Sequence, residues 1–153
     1  LAKRHKDAKL LLVGGVPVES QRDYLIKLKK LVSELGLEKN IEFVGPVDYD
    51  KILGYYHKAD TFVSASATGS LDKTVLEAMA CEVPVVVRGK AYKSLKGPLF
   101  FKDEKDFADA VEEALSMKDR KILRAEIVEN HELRKLMDKI IQLFRNERLL
   151  GLS

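Results

Sequence analysis

The feature that most constrains the fold is an alternation of short apolar runs with longer segments whose apolar residues recur at helical spacing. The runs lie at Leu10–Val13, Ile41–Val44, Thr61–Ser64 and Val85–Val87, and Pro98–Phe101 is a very short fifth. Parallel strands require crossovers, and helices make the shortest ones. The alternation therefore predicts an α/β fold with a doubly wound parallel sheet and helices on both of its faces. Leu10–Val13 in particular reads as a strand buried on both faces.

The intervening segments predict the helices and the extent of the domain. The first helix carries apolar residues from Tyr24 to Leu35 and stops at Gly36; a short one follows Asp50, and a third spans Leu71 to Cys81. Two or three more follow, ending in a long amphipathic helix from about residue 131, for which packing on protein is favoured over membrane contact. A chain of 153 residues fits one domain, of the Rossmann-like kind.

Composition narrows the class of protein. The net charge is +3, and basic residues show no interleaving with aromatic ones, so a nucleic-acid partner is not expected. Cys81 is the single cysteine, which excludes an internal disulfide and a cysteine metal cluster and favours a buried structural thiol. The three histidines lack metal-ligand spacing. Lys90, Lys93 and Lys96 could meet phosphate or an anionic membrane, but a solvated loop is the favoured interpretation.

Candidate ligand-binding residues follow the strands, because ligands of open parallel sheets bind at the carboxyl ends. These ends fall at Gly14–Gly15, Gly45–Pro46, Ala65–Ser70 and Arg88–Gly89. Thr68, Gly69 and Ser70 would place amide N–H groups at a helix start, where anions are attracted. The alternative is that they form only a turn and a cap, and spacing alone leaves both open.

Glu77 is the second candidate. It lies between Leu76 and Ala78, and a carboxylate among apolar residues calls for a partner or a ligand. It could accept hydrogen bonds from the two hydroxyls of a ribose. The alternative is an exposed position on an amphipathic helix, and the two interpretations carry equal weight. Neither a P-loop nor a complete dinucleotide glycine fingerprint follows the first strand, which argues against an oxidoreductase.

Several collinear segments together resemble a known family. LEAMACEVPVVV, AKLLLVGG and LGLEKNIEFVGPVDYDKILGYYHKADTFVSAS are similar, in order and spacing, to the donor-binding half of the retaining group 1 glycosyltransferases. These enzymes have two Rossmann-like domains, the GT-B architecture, and the resemblance runs from Lys9 to Leu115. It implies transfer of a sugar, hexosyl or mannosyl, from a UDP- or GDP-sugar to an acceptor with retention of configuration and without a metal.

The resemblance also implies roles for particular residues. The family's two glutamates, separated by seven residues, fall on Gly69 and Glu77, so the second is present to hold the donor ribose and the first is absent. Lys73 or Asp72 is available to compensate for the missing acid. The remaining donor-binding residues implied are Gly14, Gly15, Pro46, Val47, Thr68, Gly69, Ser70 and Leu71, with the amides of Ser70 and Leu71 on the diphosphate and Pro46 and Val47 near the nucleobase.

Residues 1–153 are therefore expected to form the nucleotide-sugar binding domain of a longer enzyme, inactive or nearly so by itself. The family's arginine and lysine, which neutralise the leaving diphosphate, and the domain for a saccharide or lipid-linked acceptor are expected upstream of Leu1. The expected location is the cytoplasm, with peripheral contact at the inner face of the membrane left open. The alternatives are a catalytically degenerate binding or scaffold domain and, more weakly, a nucleotide-sugar epimerase.

Overall fold

The computed structural model describes residues 1–15, 22–67 and 69–149, without the side chains of 146–149. Strands and helices alternate along it as the sequence predicts, and the α/β, Rossmann-like class is confirmed. The elements are β1 Leu10–Val13, α1 Arg22–Glu34, β2 Ile41–Gly45, α2 Tyr49–Lys58, β3 Phe62–Ser64, α3 Lys73–Ala80, β4 Val85–Val87, a 3₁₀ helix Lys90–Ser94, β5 Leu99–Phe100, α4 Glu104–Ser116, α5 Lys121–Asn130 and α6 Leu133–Leu149.

All described strand pairs are parallel, and they form two sheets. One sheet has the order β1-β2, and the other has the order β3-β4-β5. The chain divides into two compact units, Leu1–Tyr55 and Tyr56–Ser153. Each unit contains one of the sheets.

In the first unit, the side chains of β1 are only partly covered by other residues. Leu10 pairs with Ile41, and the register shifts between Leu12 and Val13. The prediction that β1 is buried on both faces is wrong, since Leu10, Leu11 and Leu12 are 43%, 41% and 37% exposed. Successive strand side chains point to opposite faces, so both faces of β1 are partly open in the described unit. A continuous apolar run marks a buried strand only where helices cover both faces.

The second unit has a closed core. Val85, Val86 and Val87 of β4 are fully buried, so both faces of this strand are covered. Helix α3 packs on β3, β4 and α5, and helix α4 packs on β4 and β5. This unit therefore supplies a rigid support for the residues that follow β3 and β4.

Helix α3 is shorter than the sequence predicts. It begins at Lys73 rather than Leu71, because Asp72 occupies the N-cap with extended backbone angles of φ −74° and ψ 129°. At the other end, Val83 N–H donates to the Ala78 carbonyl and Glu82 N–H donates to the Met79 carbonyl. These two bonds form a Schellman motif, with Glu82 at φ 61° in a position that favours glycine. Ser70 and Leu71 therefore precede the helix instead of opening it.

Candidate functional site

The predicted residues of the first unit meet where β1 and β2 end. Gly14 N–H donates to the Gly45 carbonyl at 2.9 Å, and both glycines have positive φ angles, 140° and 82°. A Cβ on Gly15 would lie 3.4 Å from Pro46 Cβ and Cγ, so the two residues are in close approach. Pro46 is exposed, and Val47 is half-buried. The paired turns thus present Gly14, Gly15, Pro46 and Val47 together at one end of the sheet.

In the second unit, the loop from Ala65 to Leu71 connects β3 to the N-cap of α3. Thr68 lies outside the described residues. Gly69 and Ser70 are exposed, and Leu71 is half-buried. A Cβ built on Gly69 has no neighbouring atom within 4 Å, so open space surrounds the position where the resembling family carries an acid.

Asp72 is held by side chains from two other segments. The Tyr92 hydroxyl donates to Asp72 Oδ2 at 2.7 Å and accepts from the Asp72 N–H at 3.2 Å. Ser64 Oγ donates to the same Oδ2 at 3.3 Å, and Ser66 N–H donates to Ser64 Oγ at 3.4 Å. We call Ser64, Asp72 and Tyr92 the Asp72 cluster. The Asp72 carboxylate, although at an N-cap, makes no capping hydrogen bond to its own helix.

The contact between Tyr92 and Asp72 is shielded from solvent, because Tyr92 is buried. The side chain is 0% exposed and lies in the 3₁₀ helix that follows β4. Burial raises the pKa of its phenol above the ordinary value of 10.0, and the hydrogen bond to Asp72 adds to the rise. The hydroxyl therefore stays protonated and can donate to the carboxylate at any physiological pH.

Glu77 lies on α3 with one hydrogen-bond partner and one ion-pair partner. The Tyr56 hydroxyl donates to Glu77 Oε2 at 2.9 Å, and Lys73 Nζ lies 3.3 Å from Oε1. The Glu77 side chain is 24% exposed, whereas that of Lys73 is 75% exposed. Tyr56 is itself nearly buried, and its ring packs 6.0 Å from that of Phe62. The carboxylate is thus fixed by a core tyrosine on one oxygen and still reaches solvent.

Cys81 is half-buried, whereas the sequence predicts a buried thiol. The residue forms no disulfide. Burial raises its pKa above the ordinary 9.0, the Glu77 carboxylate raises the pKa further, and Arg124 opposes the rise. The thiol is accordingly protonated at neutral pH, which makes it a poor nucleophile.

Sequence reasoning missed three polar contacts of this region. They are the hydrogen bonds that Tyr56 donates to Glu77 and that Ser64 and Tyr92 donate to Asp72. The available signal was chemical, because the hydroxyl of a buried tyrosine usually finds a hydrogen-bond partner. The partner of each tyrosine hydroxyl is a residue about 20 positions away in the sequence. The spacing of apolar residues within a helix or strand does not indicate which residue that is.

Other predicted features lie at the surface. Lys90, Lys93 and Lys96 are exposed, as is His57. Within residues 1–15, 22–67 and 69–149, no helix is both long and apolar enough to cross a bilayer. The same residues contain no group of three or more side chains suited to holding a metal ion.

The α/β units place glycine turns after β1 and β2 and a partnered glutamate on the helix after β3, an arrangement typical of Rossmann-like nucleotide-binding domains. Comparison with known proteins gives the family. Residues 1–117 match the model of the glycosyl transferases group 1, and the chain belongs to this family.

Individual relatives agree with this assignment. The chain is 31% identical to the alpha-monoglucosyldiacylglycerol synthase of Streptococcus pneumoniae over 74% of this chain and 25% of the relative. It is 38% identical to the mannosylfructose-phosphate synthase of Agrobacterium fabrum over 57% of this chain and 20% of the relative. The solved sucrose-phosphate synthase of Thermosynechococcus elongatus superimposes with a TM-score of 0.79 at 25% identity, over 95% of this chain and 39% of that one. The chain thus spans a fifth to a quarter of the length of these two curated relatives.

Proposed function

We propose that this chain binds the nucleoside diphosphate of a sugar donor and forms the donor-binding part of a retaining glycosyltransferase. The observation that carries the proposal is Glu77, whose carboxylate is fixed by Tyr56 and Lys73 and remains partly open to solvent. Family membership supports the reaction class, and the geometry supports the role of this residue.

The hydrogen-bonding capacity of Glu77 suits a ribose. An ionised carboxylate accepts about four hydrogen bonds. One oxygen is bonded to Tyr56 and the other is paired with Lys73, which leaves capacity on both for additional donors. Two adjacent hydroxyls of a ribose are donors of the required kind, and a prepositioned carboxylate binds them without reordering its own side chain.

The diphosphate is assigned to the loop between β3 and α3. Gly69 lets a phosphate approach the backbone without a side chain in the way, and the amides of Ser70 and Leu71 supply donors. Because α3 begins two residues later, at Lys73, these amides would act together with the positive end of the helix dipole. Thr68 and Lys73 complete the proposed contacts in this unit. In the first unit, Gly14, Gly15, Pro46 and Val47 are proposed as donor-binding residues.

The chemistry proposed for the whole protein is transfer of a hexosyl group without a metal. Binding would position the donor, and fixed dipoles would stabilise the departing diphosphate. The names of the relatives include a monoglucosyl and a mannosyl product, which supports a hexose. A lipid-linked or saccharide acceptor and a site of action in the cytoplasm belong to this proposal.

Gly69 favours a second candidate function. The resemblance places the first acid of the family at this position, and here the residue has no side chain. A domain that binds the nucleotide without supporting transfer would tolerate that loss. Both candidates require nucleotide binding by this chain, and they differ in turnover by the whole protein.

Calorimetric titration of the chain with UDP and with GDP tests the shared claim. We expect saturable binding of at least one of them, weakened about tenfold or more in Glu77→Ala through loss of hydrogen bonds to a charged group. Glu113→Gln, which removes an exposed carboxylate on α4, serves as the matched control and should bind as the parent does. Absence of binding by any nucleoside diphosphate at millimolar ligand would reject the proposal.

A further inference from the structure

The Asp72 cluster joins three segments that lie apart in the sequence. Ser64 ends β3, Asp72 caps α3, and Tyr92 belongs to the 3₁₀ helix after β4. Ser64 and Asp72 bound the loop that is proposed to hold the diphosphate, and a direct hydrogen bond joins their side chains at 3.3 Å. The two ends of the loop are therefore fastened to each other.

Tyr92 makes two further hydrogen bonds to Asp72, at one end of the loop. Its hydroxyl contacts both the carboxylate and the backbone N–H of Asp72, so it fixes the main chain as well as the side chain. A residue held at both groups has little freedom to rotate its backbone. The direction in which the loop enters α3 is thus set by a buried side chain from a different element.

Packing at Gly89 makes the position of Tyr92 rigid. A Cβ at residue 89 would lie 2.9 Å from Tyr92 Cε2 and 3.2 Å from the Ser66 carbonyl oxygen. Real Cβ atoms avoid the shorter of these distances, so the absence of a side chain at Gly89 lets the ring and the start of the loop come together. The ring is completely buried, so a change in its position would require the side chains around it to move.

From these contacts we propose that Tyr92 is a positioning residue that sets the conformation of the β3–α3 loop for the donor's diphosphate. The inference rests on the proposed function for its ligand. It adds a residue outside the segments assigned to the donor, acting through Asp72 rather than by touching the nucleotide.

Tyr92→Phe tests this role, because it removes the hydroxyl and keeps the buried ring. We expect the amides of Asp72 and Ser66, which donate to the Tyr92 hydroxyl and to Ser64 Oγ, to exchange hydrogen at least about tenfold faster, because the bonds that hold the cluster are lost. We expect UDP or GDP to bind about tenfold more weakly, with little change at the glycine turn of the first unit. Tyr55→Phe, which removes a hydroxyl outside the cluster, is the control and should change neither measurement.

Two variants of Asp72 distinguish loss of this contact from a general loss of stability. Asp72→Asn keeps an oxygen that accepts from Tyr92, so it should retain most of the protection and affinity, whereas Asp72→Ala should lose both. Unchanged loop exchange in Tyr92→Phe would overturn the inference whether or not nucleotide binds. Faster exchange with unchanged affinity would also overturn it. Failure of the parent chain to bind any nucleotide would instead reject the proposed function, and the exchange measurement would still report on the hydrogen bonds of the Asp72 cluster.

Discussion

At the scale of single residues, the site depends on how Glu77 is held. A carboxylate on a helix surface is mobile and well hydrated, and it gains little from one exposed lysine. Tyr56 changes that situation, since its buried ring fixes a hydroxyl 2.9 Å from Glu77 Oε2. The acid is therefore oriented before any ligand arrives. This prior ordering is what makes a residue of common type a credible ribose contact.

The charge on Glu77 should be detectable through Cys81. Glu77 raises the pKa of the thiol, so Glu77→Gln should lower that pKa and increase the thiolate fraction at a given pH. We expect alkylation by iodoacetamide at pH 8 to accelerate roughly two- to fivefold, with the inflection of the rate–pH profile moving down. Because burial remains, the inflection should stay above that of an ordinary thiol.

The profile separates a charge effect from a change in access. Glu113→Gln should leave the inflection where it is in the parent chain. A higher plateau rate in Glu77→Gln with an unmoved inflection would mean that the substitution opened the site, and it would contradict the proximity of an ionised carboxylate.

At the scale of elements, α3 shows a strained end close to the site. Glu82 occupies the left-handed position of the Schellman motif with φ 61°, where a residue with a Cβ costs about 1 kcal/mol or more. Glu82→Gly should therefore stabilise the fold by about 1 kcal/mol, raising the melting temperature by roughly 2–4 °C in a calorimetric scan. Glu82→Ala keeps the Cβ and should give no comparable gain; equal gains from both variants would show that backbone strain is not the cause.

The same helix shows what sequence can and cannot predict about an element. Its existence and its end near Cys81 follow from the apolar spacing and from Pro84, and both agree with the structure to within one residue. Its start is two residues later than predicted, because Tyr92 holds Asp72 in an extended conformation at the N-cap. That contact spans 20 residues and leaves no local signal. For this reason the amides of Ser70 and Leu71 lie in the loop before the helix and not in its first turn.

At the scale of the whole molecule, apolar runs predict strands well and their surroundings poorly. Leu10–Val13 and Val85–Val87 are similar in sequence, and both are strands with the predicted bounds. The valines are fully buried, whereas the leucines of β1 are about 40% exposed. What covers a strand is decided by the elements packed against it, and a run of residues carries no information on that point.

The candidate site follows the same rule. Glu77, Gly69 and the glycine turns could be predicted, because the ends of parallel strands and the family resemblance both indicate them. The partners that hold Glu77 and Asp72 could not, since Tyr56 and Tyr92 reach them through tertiary packing. The sequence therefore predicts the proposed ligand contacts, and the structure adds the residues that orient them.

The role of Glu77 in holding the ribose can be tested by calorimetry. Whichever of UDP and GDP binds is compared with its 2′-deoxy analogue, in the parent chain and in Glu77→Ala. If Glu77 holds the ribose, the parent should prefer the ribonucleotide by about tenfold, and the variant should bind both nucleotides equally, because the hydroxyl has lost its charged acceptor. The same preference in both proteins would contradict the account, since the ribose would then be recognised without this carboxylate.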